Sequence, residues 1–243
     1  MSGFFLYSFL IYVEMQSELK KPSQLLHLTE SLRSFVETIK GFLLLWFTKR
    51  TNEGKGRVVM VIPGLLTSDF WTMVLRGFLK KKGFIVYGWE LGTNLGNMEK
   101  LPLLSEKIQT ISQRHNQKVI LIGWSMGGLF SRTVCHQIPE HISHVITTGS
   151  PFADIHAPNN AKWVYELLND EEDVDQKLIS TLHLPTPMPS TAIYSKKDGI
   201  IPWQACMDKI VDDSHKNIEV SSSHFGMGAN PEVLNTVLKA LVG

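Results

Sequence analysis

Six short runs of β-branched and other apolar residues, at 58–62, 84–87, 119–122, 145–148, 191–194 and 218–220, punctuate the chain from residue 57 to its end. They are the length of buried strands and too short for buried helices. Between most of them lie stretches with helical spacing of apolar residues, at 69–82, 97–115, 126–137 and 203–212, and a last one at 231–241 closes the chain. Parallel neighbouring strands need long crossovers, usually helical, whereas antiparallel ones are joined by tight turns. The alternation therefore predicts a mostly parallel sheet with helices on both faces. The mostly apolar, β-branched character of the strands agrees, because such a sheet is covered on both sides.

Two segments stand outside this alternation. Residues 152–190 form a Pro-rich insertion with a helical stretch at 161–168 and an acidic run at 170–175. At the carboxyl end of a strand such an insertion is expected as a small helical cap over the crevice. From residue 22 to about 47, Leu25, Leu28, Leu32, Phe35, Val36, Ile39, Phe42 and Leu43 follow one face of a long helix, and Glu30, Arg33, Glu37 and Lys40 the other. Its apolar stripe is expected to pack on the core; membrane contact is the less favoured use, since the polar face is not strongly basic. The polar break at 51–56 then divides an N-terminal segment, 1–56, from the main domain, 57–243.

Residues 3–13 are apolar but too short to span a bilayer. They lack a preceding Lys or Arg and a small-residue cleavage site, so no leader is expected, and Met15 is an alternative start. With 43% apolar and 19% charged residues, the composition fits one soluble domain. A net charge of +1, with basic residues scattered apart from Lys80, Lys81 and Lys82, gives no footprint for nucleic acid. Cys135 and Cys206 have the spacing of neither a metal site nor a disulfide framework. A cytoplasmic location follows as an expectation, at most peripheral to a membrane; the oligomeric state has no signature.

The chemistry concentrates in Gly123-Trp124-Ser125-Met126-Gly127, where a strand ends and a helix begins. A sharp strand-to-helix turn exposes the serine Oγ, and the flanking glycines let backbone pack closely around it. A serine hydroxyl is scarcely ionised near neutrality, so a nucleophilic serine needs a histidine base, and the base needs an orienting carboxylate. His224 follows the last strand and Asp198 the one before, each just past a carboxyl end, in the order Ser, acid, His. Asp154, shortly after the preceding strand, is the alternative acid. The backbone N–H groups expected to hold an oxyanion are those of Met126, directly after the serine, and Leu65, in the turn Pro63-Gly64-Leu65 after the first strand. Leu66, Trp124, Trp163 and Phe225 are the expected apolar lining for substrate. No metal or organic cofactor is implied.

Six blocks in order resemble a group of bacterial α/β-hydrolases described as esterases or lipases. They are Val61-Ile62-Pro63-Gly64-Leu65, Gly88-Trp89-Glu90-Leu91-Gly92-Thr93-Asn94, the serine turn with Gly128, Thr148-Gly149-Ser150-Pro151-Phe152, the segment from Tyr194 to Trp203, and Ser223-His224-Phe225-Gly226-Met227-Gly228. The resemblance implies the α/β-hydrolase fold and a triad of Ser125, Asp198 and His224. The apolar lining favours an ester with a hydrophobic acyl chain as substrate; a thioester or acyl-transfer variant is open to the same residues, and a catalytically silent binding protein is the reading from another class. Pro63 stands where many lipases have His, which argues against a triglyceride.

Overall fold

The structure, a computed structural model, describes residues 19–160 and 181–243. Six strands, β1 (Val58–Ile62), β2 (Ile85–Gly88), β3 (Val119–Trp124), β4 (Ile142–Thr148), β5 (Ser190–Tyr194) and β6 (His215–Glu219), form one sheet in the order β2-β1-β3-β4-β5-β6. Every neighbouring pair is parallel. The helices are α1 (Gln24–Leu28), α2 (Glu30–Phe47), α3 (Met73–Lys81), α4 (Lys100–His115), α5 (Met126–Gln137) and α6 (Pro231–Val242).

Successive side chains of a strand point to opposite faces, and here both faces are covered. Val59, Val61, Ile120 and Ile122 pack with Phe78 of α3 and Val233 of α6. Val58, Met60 and Leu121 pack on the other side with Ile108 of α4 and Phe130 of α5. Because all six strands run the same way, their carboxyl ends, and the turns that follow, share one edge of the sheet. The ends of the 152–190 insertion are tied down by Arg132 of α5. Its guanidinium donates to the Leu182 and Leu184 carbonyls, pairs with buried Asp208 at 2.9 Å and stacks 3.8 Å from the Phe152 ring centre. The expected cap helix at 161–168 and the acidic run lie outside the described residues.

Three local expectations change. The helix expected at 203–212 is a single 3-10 turn, Trp203–Cys206. Met207 is extended, and Asp208 is drawn away to Arg132 while its N–H binds Asn217. Strand β6 begins at His215, earlier than its apolar run, because an edge strand tolerates polar residues such as Lys216 and Asn217.

The largest change is in the N-terminal helix. Thr29 interrupts it, its hydroxyl bonding the Leu25 carbonyl at 2.8 Å. Its orientation is the reverse of that expected: the apolar stripe faces outward, and Glu30, only 2% exposed, faces in. Leu44 and Leu45 near the end of α2 do reach the core.

Gly41 explains how closely α2 seats. A Cβ there meets the Ala229 carbonyl oxygen head on. In an ordinary helix, Gly to Ala gains up to about 1 kcal/mol. At this site Gly41→Ala should instead lower stability by about 1–3 kcal/mol, as overpacking does, read as the midpoint shift in urea unfolding. A gain in stability would show that α2 does not sit this close.

Candidate active site

Ser125 occupies φ 52° and ψ −118°, a conformation that costs a residue with a Cβ on the order of 1–3 kcal/mol. The surroundings impose it. Its N–H donates to the Thr148 carbonyl at 2.9 Å, and its carbonyl accepts from the Ser150 hydroxyl at 2.7 Å. The turn is tight enough that a Cβ on Gly123 meets the Gly127 backbone and one on Gly127 meets the Ile62 carbonyl.

From this turn a continuous hydrogen-bonded line runs through the loops after β6 and β5. His224 Nε2 lies 3.0 Å from Ser125 Oγ, and His224 Nδ1 lies 2.7 Å from Asp198 Oδ2. A carboxylate oxygen only accepts, so Nδ1–H donates to Asp198 and Nε2 is left to take the serine proton. The other oxygen, Asp198 Oδ1, accepts the N–H groups of Ile200 and Ile201 at 2.8 Å each, which fixes the carboxylate. Asp154, the alternative acid, binds its own loop through the His156 N–H and is not joined to His224. Three further histidines sit in separate contacts: His115 meets Tyr87, His141 meets Ser112, and His144 meets Thr191. Burial, then the charges of Arg57 and Lys216, push His144 down to about 4.

The Gly64–Leu65 turn lies against the nucleophile, a Cβ on Gly64 coming 3.3 Å from Ser125 Cβ. Neither the Leu65 nor the Met126 N–H bonds to another described residue, as donors reserved for an oxyanion require. Asn94, fully buried, holds that turn by donating to the Pro63 carbonyl at 2.8 Å while its carbonyl accepts from Leu66 N–H. Of the expected lining, Leu66 and Phe225 are exposed beside the site. Trp124 is not lining: it is 3% exposed in the core, and its indole N–H donates to the His224 carbonyl at 3.1 Å. Trp163 falls outside the described residues.

Two residues escaped the sequence reading. Glu30 Oε1 accepts the Phe225 N–H at 3.0 Å and Oε2 the Gly199 N–H at 3.1 Å, so one carboxylate bridges the turns beside the base and the acid. Glu37 accepts the Ser223 N–H and, at 2.7 Å, the Ser223 hydroxyl. Burial opposes a charge on His224, but the attraction and hydrogen bond of Asp198, aided by Glu30, outweigh it and hold the imidazole above its ordinary range. Burial likewise raises Glu30, against the Phe225 hydrogen bond. For a raised histidine, the stabilising contribution is complete below the unfolded value and disappears as pH rises through the folded one.

The family described as PGAP1-like alpha/beta domain matches residues 94–222, more than half of the chain, including the turns of Ser125 and Asp198. The chain belongs to the PGAP1-like alpha/beta domain family. Solved structures similar to this PGAP1-like domain share its fold. Aspergillus fumigatus lipase B superposes with a TM-score of 0.61 at 18% identity, over 79% of this chain and 54% of that one, so the likeness spans about half of that lipase. Paleococcus ferrophilus monoacylglycerol lipase gives 0.56 at 16% identity, over 80% and 96% of the two chains. A thioesterase domain from a curacin biosynthetic pathway gives 0.53 at 14%, over 80% and 93%. Among curated proteins no sequence match is found.

Two outcomes test the site. Asp198→Asn should keep the fold yet favour the wrong histidine tautomer, costing up to roughly ten-thousandfold in kcat, while Asp154→Asn stays near wild type on the same soluble ester. The reverse ranking would assign the acid to Asp154. Glu30→Gln should lower the pH at which kcat/KM reaches half its plateau, since one negative charge near His224 is gone; an unmoved profile would leave Glu30 a structural tie alone.

Proposed function

We propose that the chain is a serine hydrolase that cleaves carboxylic esters with an apolar acyl chain. The observation that carries this reading is the unbroken Ser125–His224–Asp198 hydrogen-bonded line at the carboxyl edge of the sheet. Ser125 attacks the ester carbonyl as His224 takes its proton; the oxyanion lies between the Leu65 and Met126 N–H groups. His224 then protonates the departing alcohol, leaving an acyl-serine. In the second half, His224 activates water, the acid is released and the serine is regenerated. Exposed Leu66 and Phe225 beside the site favour an apolar acyl chain over a small polar one.

Thioester hydrolysis is the second reading, favoured by the thioesterase domain among the fold neighbours. The same groups serve, with a thiol as the leaving group.

Ser125→Ala should abolish hydrolysis of p-nitrophenyl esters, down several orders of magnitude to the residual that binding and the oxyanion donors sustain, with thermal stability nearly unchanged. Retention of more than about a tenth of the wild-type rate would remove Ser125 from this role. Rates from acetate to palmitate esters, set beside matched thioesters, measure the acyl preference and separate the two readings.

A further inference from the structure

Leu28, Leu32, Phe35, Phe42, Trp46 and Phe47 stand exposed along α1 and α2, Phe35 by 64% and Trp46 by 80%. Single exposed apolar residues are ordinary, but a contiguous stripe marks an interaction surface. The helix cannot turn this stripe inward without breaking its inner contacts. Glu30 and Glu37 are held by the turns around Asp198 and His224, and Gly41 is seated on Ala229. The apolar exposure also continues toward the site. Phe225 is exposed beside His224, and the exposed Trp71 has its carbonyl against Gly228 in the same turn.

Charge narrows the occupant. Both carboxylates of the helix pair point inward, and the exposed charges at its ends are Lys20 and Lys21 on one side and Lys49 and Arg50 on the other, with Lys40 between. At the amino end a cleft lined by Lys20, Lys21, Asp198 and Lys196, the last paired with Glu219 at 2.8 Å, opens beside the helix. A stripe of Leu, Phe and Trp ended by cations matches a layer that is apolar within and anionic at its boundary. A second copy of the chain matches poorly. Parallel pairing of two such helices sets lysines on lysines, and antiparallel pairing sets Lys20 and Lys21 against Lys49 and Arg50.

We propose that the outward face of α1 and α2 docks on an anionic phospholipid surface, lying in the plane of the headgroups. Among the described residues no helix is long and apolar enough to cross a membrane. Docked in this way, the helix sets the turns carrying Asp198 and His224 about one helix diameter, ~10 Å, from lipid. The docking stands apart from catalysis; only its use, delivering an ester with an apolar chain from the layer, rests on the hydrolase reading.

Co-sedimentation of the full chain with vesicles of phosphatidylcholine, alone or mixed with phosphatidylglycerol, tests it. The protein should pellet with the mixed vesicles and far less with the neutral ones. Phe35→Ser combined with Trp46→Ser should weaken partition by about tenfold or more, and Lys20→Glu with Lys21→Glu should remove about tenfold of the anionic preference. Turnover of a soluble ester should stay near wild type in the serine double variant; if it falls, each single change is measured instead. Ser125→Ala must pellet as the wild type does; a wild-type chain that pellets with the mixed vesicles yet hydrolyses no ester would defeat the hydrolase reading and leave the docking intact. Failure to pellet with either vesicle, pelleting undiminished by the serine changes, or a solution dimer that those changes dissolve would each overturn the proposal.

Discussion

A side chain with a Cβ resists the backbone conformation of Ser125, so neighbouring groups have to hold it there, and much of the surrounding architecture is the set of groups that do. Strand β4 supplies the Thr148 carbonyl, and the turn after it supplies the Ser150 hydroxyl. Glycines before and after the serine let β1 and α5 close to backbone contact. The central position of β3, flanked by β1 and β4, brings these three sources together. The positive φ in turn lifts Oγ to where the loop of β6 can meet it. Placing Ser125 and ordering the sheet are one constraint.

His224 and Asp198 are held by different means. Their loops rise from the last two strands of the sheet and are bound to each other by Ser195, whose hydroxyl donates to the Ser222 carbonyl and accepts the Ser222 N–H. Trp124 holds the His224 backbone from below, and Glu30 and Glu37 hold both loops from outside. A hydrogen bond from a backbone N–H to a charged acceptor exceeds a neutral one, and an unpaired buried carboxylate is costly. The polar side of α2 thus has more to gain from these turns than its apolar side has from the core.

This competition explains what could and could not be read beforehand. Periodicity reveals that a stripe exists at 25–43, but not which side finds better partners, because those partners, the N–H groups of Gly199, Ser223 and Phe225, lie far away in sequence. Strands β1 and β3 were legible because both faces of each are buried and their apolar runs are unbroken. That Ser125, Asp198 and His224 come together was legible because strand ends and chain order place them on one edge of the sheet. Trp124 misled because an aromatic beside a nucleophile suggests substrate contact, whereas its side chain follows the inward side of β3. Asn94 stood within a quoted block, yet a fully buried Asn tying a loop to its neighbour leaves no local signal in sequence.

Strand β6 is an edge of the sheet, half-exposed along its length, and is bonded to β5 alone. Ser125, by contrast, follows a strand buried throughout. An edge strand can change sequence without disturbing the pairing of the other five. Change is therefore tolerated more readily at the margin of the sheet, on the strand that leads to His224, than at its centre, on the strand that leads to Ser125.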